Sequence, residues 1–333
     1  MNCLQNLLDR QGTLLLDGAT GTMLMERGLV SGDPPEQWNI IYPDSIRWLY
    51  RQYLDAGSDI ILTNSFGGTG FRLKLHKLQD RVVAFNQAAA RLAREEADAT
   101  PRPVLVAGSI GPSGELLDPL GDMTFEQAVA GFAEQAAALA EGGADLIWIE
   151  TMSDMNEVRA AFEGARSVCN LPITATFSFD THGRTMMGVR SKEVAKTLKE
   201  WGAAAVGANC GNNLPDTERV VSEMHALDPN LILISKANAG IPQWLNGKQE
   251  YNGTPEIMAQ HALRMRSYGA KLIGGCCGST PDHIRAMKEA LNAPIQESLN
   301  GHAMLNRDMA SPLANDTANN EPSTRKRRRR RKR

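Results

Sequence analysis

Apolar and polar positions follow one recurring unit along most of this chain. A short apolar, β-branched run ends in small or polar residues and is followed by an amphipathic stretch of helical period. The unit repeats up to about Leu291. Its apolar runs predict strands over Thr13–Asp17, Asp59–Asn64, Val104–Ser109, Asp145–Glu150, Ile173–Phe179, Ala205–Cys210, Leu231–Ala237 and Lys271–Cys276. Helices are expected over Asp44–Ala56, Arg81–Ala97, Thr124–Glu141, Glu157–Val168, Lys192–Trp201, Thr217–Ala226, Pro255–Tyr268 and Pro281–Leu291. Thr124, Thr254 and Thr280 are suited to cap helix N-termini, with Pro255 and Pro281 at first helical positions. Gly57, Gly143 and Gly269 stand where a helix must stop before the next strand.

Eight strands alternating with eight helices match an α/β fold of the (β/α)8 TIM barrel type in number and length, whereas a doubly wound sheet commonly uses about five or six strands. With 333 residues, 42% of them hydrophobic, the chain can bury a core of that size. The expected barrel spans residues 1–297. From about Ser298 the sequence is rich in Asn, Ala, Ser and Pro without apolar period, so residues 298–333 are expected to be a disordered tail.

Charge separates the two parts. The net −2 hides a tail in which all nine residues from Arg325 to Arg333 are Lys or Arg; without them, 27 basic residues face 38 acidic ones, a body of −11. The tail has no interleaved aromatics and no folded reader, so any nucleic-acid binding through it would be nonspecific counterion release. The N-terminus lacks a basic and apolar leader, and no apolar run approaches the roughly 20 residues of a membrane span. A cytoplasmic protein without membrane contact is expected.

In a barrel of this kind the chemistry lies at the C-terminal ends of the strands. Those ends read Asp17-Gly18-Ala19-Thr20-Gly21, Thr63-Asn64-Ser65-Phe66-Gly67, Gly108-Ser109-Ile110-Gly111-Pro112, Glu150-Thr151, Phe179-Asp180, Asn209-Cys210-Gly211, Asn238-Ala239-Gly240 and Gly275-Cys276-Cys277-Gly278. Five cysteines are too few and too scattered for a disulfide framework. Cys3 and Cys169 fall away from strand ends and read as packing or exposed residues. Cys210 and the Cys276-Cys277 pair fall at the ends of the sixth and eighth strands, which a barrel brings close. Adjacent residues on a strand point to opposite faces, so Cys276 and Cys277 can share an ion only where the backbone leaves β geometry. Gly274, Gly275 and Gly278 permit that departure.

Three thiolates with a fourth position open suit Zn²⁺ in a catalytic rather than structural role. Such an ion carries a net −1 and is a poor Lewis acid, better suited to holding a substrate sulfur as thiolate than to activating water. Alkylation of a substrate thiol is the chemistry expected. No His-Glu-x-x-His run is present to suggest hydrolysis.

Taken together, Asp17-Gly18-Ala19-Thr20-Gly21-Thr22, Thr63-Asn64-Ser65-Phe66, Gly108-Ser109-Ile110-Gly111-Pro112, Glu150-Thr151, Gly207-Ala208-Asn209-Cys210 and Gly274-Gly275-Cys276-Cys277-Gly278 resemble the zinc-dependent homocysteine S-methyltransferase family over about Leu14 to Leu291. That family includes betaine-homocysteine methyltransferases and the homocysteine module of cobalamin-dependent methionine synthase. The resemblance implies zinc on Cys210, Cys276 and Cys277, homocysteine as methyl acceptor and methionine as product. It also implies that Asp17, Gly18, Glu150 and Asn209 bind the substrate, and that Asn238 can cap the metal before substrate arrives.

The methyl donor is read from the wider pattern. Pro34-Pro35-Glu36-Gln37-Trp38-Asn39 and Gly240-Ile241-Pro242 most resemble stand-alone bacterial betaine enzymes, making betaine the first expectation. A separate methylcorrinoid protein or S-methylmethionine is the alternative. A quaternary ammonium calls for an aromatic cage, for which Trp38, Phe66, Trp148, Trp244 and Tyr251 are the candidates.

Overall fold

The computed structural model describes residues 2–180, 182–245 and 248–293. Among the described residues ten strands run in chain order: β1 (Leu14–Leu15), β2 (Ile60–Leu62), β3 (Leu105–Ile110), β4 (Leu146–Met152), β5 (Ile173–Phe177), β6 (Ala205–Cys210), β7 (Leu233–Ala237), β8 (Pro242–Leu245), β9 (Lys248–Tyr251) and β10 (Ala270–Gly275). Eight of them form a parallel sheet in the order β1-β10-β7-β6-β5-β4-β3-β2. A parallel bridge between Leu16 and Ile60 brings its two edges together. This is the (β/α)8 TIM barrel that the alternation predicts.

Helices fill the intervals where the period demands them. Thr124 caps Phe125–Glu141 in a reciprocal box with Gln127, and Thr254 caps Pro255–Ser267 by accepting from the Ile257 N–H. Gly57 ends Pro43–Ala56 in the left-handed region at φ +102°, where a side chain would be strained.

Besides short helical segments such as Gly21–Glu26, Trp38–Ile41 and Gly70–Leu73, two features escape the alternation. The antiparallel pair β8 and β9 lies in what reads as a loop after the seventh barrel strand. The other is a helix over Cys3–Gln11, capped by Asn2, which precedes the first strand. Leu4, Leu7 and Leu8 recur at helical spacing and are buried. They join Leu14, Leu16, Ile60, Leu105, Leu146 and Leu272 in a cluster inside the barrel, while the larger apolar cluster lies between strands and helices. This helix plugs the barrel floor, at the mouth opposite the strand C-termini. Leu4 is fully buried there. Leu4→Ala is expected to cost about 3 kcal/mol of stability, seen as a lower urea midpoint, because the plug cannot collapse onto the cavity.

Strand parity lays out the interior. On β3, β4, β6 and β7 the inward residues are Leu105 and Ala107, Leu146 and Trp148, Ala205, and Ile234. Two residues further toward the C-terminus, or four on β6 with Gly207 between, the same face carries Ser109, Glu150, Asn209 and Lys236. Polar groups thus sit directly above an apolar floor. Among the described residues no helix is long and apolar enough to cross a membrane. The tail expected over 298–333 lies outside the described residues.

Candidate functional site

The cysteines meet because the backbone leaves β geometry at both strand ends. Strand β10 ends at Gly275, one residue before the pair. The Cys276 N–H still bonds the Ala237 carbonyl at 2.7 Å, after which the chain turns so that the Ser279 N–H reaches the Cys276 carbonyl at 3.0 Å. Gly278 takes φ +76° in that turn. Cys210 itself stands at φ +55°, a conformation costly for a residue with a side chain. Its Sγ lies 3.0 Å from the Cys276 Sγ, and all three Sγ atoms fall within 4.8 Å of one another.

That spacing fits one ion. A tetrahedral centre with zinc–sulfur bonds of about 2.3 Å sets its sulfurs about 3.8 Å apart, so the Cys210–Cys276 contact would open slightly on binding. Proximity couples the thiols: the neighbouring Cys210 and Cys276 sulfurs pull the Cys277 thiol well below its ordinary range, while those neighbours and burial push Cys210 well above it.

Asn209 and Asn238 fix the loops that carry these sulfurs. Asn209 accepts from the Thr151 N–H at 2.8 Å and donates to the Thr151 hydroxyl at 2.6 Å and to Cys210 Sγ at 3.4 Å. Thr151 is β-branched and sits at φ +61°. The strained ends of β4 and β6 are therefore clamped by a single carboxamide. Asn238 donates to the Gly211 carbonyl at 2.9 Å and accepts from the Cys277 N–H at 3.1 Å. Its carboxamide thus spans two cysteine loops.

Two carboxylates lie in the same mouth. Asp17 is 2% exposed; its Oδ2 accepts from the Leu62 N–H at 2.7 Å, while its buried Oδ1 lacks a hydrogen bond. Glu150 accepts from the Ser109 hydroxyl at 2.5 Å. Burial pushes its carboxyl up to about 7, against the pull of Lys236. Gly18 is required by close approach: a Cβ there would stand 2.5 Å from the Ser279 carbonyl and 2.8 Å from the Tyr53 ring. The Tyr53 hydroxyl lies 2.7 Å from the Ala19 carbonyl and 2.9 Å from that of Ser279, joining the first and last strand-end loops.

The sequence profile of the homocysteine S-methyltransferase family matches residues 14–291. The chain belongs to that family. It is 29% identical over 298 residues to a methionine synthase of Mycobacterium leprae, an alignment that covers 84% of this chain but only 24% of that protein. Among solved structures it is similar to the homocysteine methyltransferase MmuM of Escherichia coli. The metallated form matches at 28% identity and TM-score 0.74, covering 86% of this chain and 99% of that one. The oxidised form matches at 29% identity and TM-score 0.73, covering 87% and 99%.

Within the homocysteine S-methyltransferase fold, the structure sorts the aromatic candidates. Trp148 is fully buried in the barrel interior beneath Glu150, and Trp38 packs in the outer core. Phe66 stays 38% exposed at the end of β2, and Tyr251 is half-buried with its ring against Gly278 and its hydroxyl toward Cys277. The Trp244 side chain lies outside the described residues. Lys236 and Tyr53 are site residues outside the motifs, and Ser109 and Thr151 lie within them without a role read from the sequence.

Proposed function

We propose that this chain methylates the thiol of homocysteine to give methionine, with Zn²⁺ on Cys210, Cys276 and Cys277. The convergence of three Sγ atoms within 4.8 Å at the C-terminal mouth of the barrel carries the reading. Zinc bound there would hold the substrate sulfur as a nucleophilic thiolate. The chain's own residues do the rest. Asp17, whose Oδ1 makes no hydrogen bond and lies 3.3 Å from the Lys236 ammonium, and Glu150 offer negative charge to the substrate ammonium. The amides of the Gly18 loop approach its carboxylate, and Asn209 keeps the Cys210 sulfur in place. Binding in this buried mouth orients sulfur against donor, so no general base is needed.

Betaine is the donor we propose. Phe66 supplies an exposed aromatic face and Tyr251 a second aromatic at the metal loop. Phe66 also borders a cavity of about 200 Å³ lined by Arg72 and His76 and by Asp33 and Glu36. The match to one quarter-length segment of methionine synthase favours a second reading, in which a separate methylcorrinoid protein delivers the methyl group. S-methylmethionine is the third donor to compare.

Zinc-loaded, reduced protein given homocysteine and each donor in turn decides the matter. Methionine formed with betaine alone is the expected result; turnover only with a methylated corrinoid protein would transfer the proposal to the second reading. Activity is expected to survive removal of residues 298–333, since every group named here lies in the barrel. Zinc-free protein that still makes methionine would end the proposal as a whole.

A further inference from the structure

Lys236 is 3% exposed, and it is the single buried lysine or arginine among the described residues. A cation so placed costs several kcal/mol unless it is well paired. Its Nζ donates to the Gly275 carbonyl at 2.6 Å and to the Gly18 carbonyl at 3.3 Å, and lies 3.3 Å from Asp17 Oδ1. Burial would lower its pKa, yet Asp17, Cys276 and Glu150 together carry it above the ordinary lysine value. The ammonium stays charged, with hydrogen bonds to the two carbonyls and its charge facing Asp17 Oδ1. It is thus neither a free base nor an amine nucleophile.

The partners place this charge at one junction. Lys236 projects from β7, Gly275 immediately precedes the cysteine pair on β10, and Asp17-Gly18 follow β1. Gly18 and Gly275 both lie against Ser279, where a Cβ would stand 2.5 Å from its carbonyl oxygen and 2.2 Å from its hydroxyl. Asp17 spends Oδ2 on the Leu62 N–H and turns Oδ1 toward the lysine. Without that charge, Oδ1 would be a buried anion with no counterpart, and the Asp17 carboxyl, which burial already pushes up, would favour its neutral form.

We propose that Lys236 is the positioning residue that sets selectivity for an amino-acid thiol: it holds Asp17 oriented as a carboxylate, at a fixed distance from the cysteine pair, to receive the substrate ammonium. This rests on the reading of the site given above. Lys236 acts through Asp17 and does not touch the reacting sulfur.

The test compares homocysteine with its des-amino analogue, which keeps thiol and carboxylate, by calorimetric titration of zinc-loaded protein. For Lys236→Met, homocysteine Kd is expected to rise about tenfold or more, with analogue Kd within about twofold of the parent and zinc content unchanged. A Met variant that keeps the parent's preference for homocysteine overturns the proposal. Loss of both ligands in parallel, the mark of a merely structural role, overturns it too. Should Lys236→Met fail to fold, Asp17→Asn/Lys236→Met removes both charges together. Its homocysteine Kd is expected to equal that of Asp17→Asn alone, and a further loss of about tenfold would count against action through Asp17. A parent protein that binds both ligands equally would instead refute the ammonium reading of the site, and this inference with it.

Discussion

Cys277→Ala protein is expected to retain less than about a tenth of its zinc after dialysis and to lose methionine formation by about a thousandfold. Apparent zinc affinities of thiolate sites correspond to about 10–16 kcal/mol, so the loss of one protein ligand in three removes roughly 4 kcal/mol. At about 1.4 kcal/mol per tenfold, that is the thousandfold expected. The substitution is clean because the surrounding backbone does not depend on the sulfur. The Cys277 N–H is held by Asn238 and its carbonyl accepts from the Ala239 N–H at 2.9 Å. Cys169→Ala is the matched control: that thiol only back-bonds the Ala165 carbonyl at a helix end, and neither zinc nor activity should change. Metal content by elemental analysis and a thermal melt separate ligand loss from unfolding. Full zinc and full turnover in Cys277→Ala would remove the three-cysteine centre from consideration.

The fold was legible because the eight barrel strands carry their own periodic signal, and the cysteine cluster was legible because barrel topology forces strand ends together. The departures have physical reasons. The first strand is expected over Thr13–Asp17 but pairs as a strand only at Leu14–Leu15, since Leu16 already bridges to Ile60 and Asp17 turns to cap the Leu62 N–H. The Cys3–Gln11 helix is shorter than the helices of the alternating unit and has no strand before it, so its role as a plug depends on a tertiary partner that periodicity does not contain. Pro242–Tyr251 includes Pro and Gly, and its strands pair only with each other. Lys236 was hidden by its residue type, since a strand lysine ordinarily faces water. Parity would have exposed it: Ile234 points inward, so Lys236 does as well, at the end of the barrel where ligands bind. The same count places Ser109 beside Glu150. The strain at Thr151 and Cys210 has no counterpart in composition, because left-handed backbone at a non-glycine residue is imposed by the clamp around it.

Glu150→Gln is expected to weaken homocysteine binding by about 2 kcal/mol, roughly thirtyfold in Kd, while zinc content stays at the parent level. The amide is nearly isosteric, and its oxygen can still accept from the Ser109 hydroxyl, so the packing above Trp148 persists. What disappears is the negative charge facing the substrate ammonium, and the des-amino analogue should therefore bind parent and variant alike. A pH signature accompanies the change. Burial holds the parent carboxyl up to about 7, so it is largely neutral one unit below that and largely ionised one unit above. The preference of the parent for homocysteine over the analogue should accordingly grow as pH rises through about 7, as the carboxylate forms while the ammonium is still charged. Taking the ratio of the two ligands cancels thiol ionisation, which they share. In Glu150→Gln the ratio should be flat across that interval. A ratio that rises equally in both proteins would assign the titration to another group and remove Glu150 from ammonium recognition.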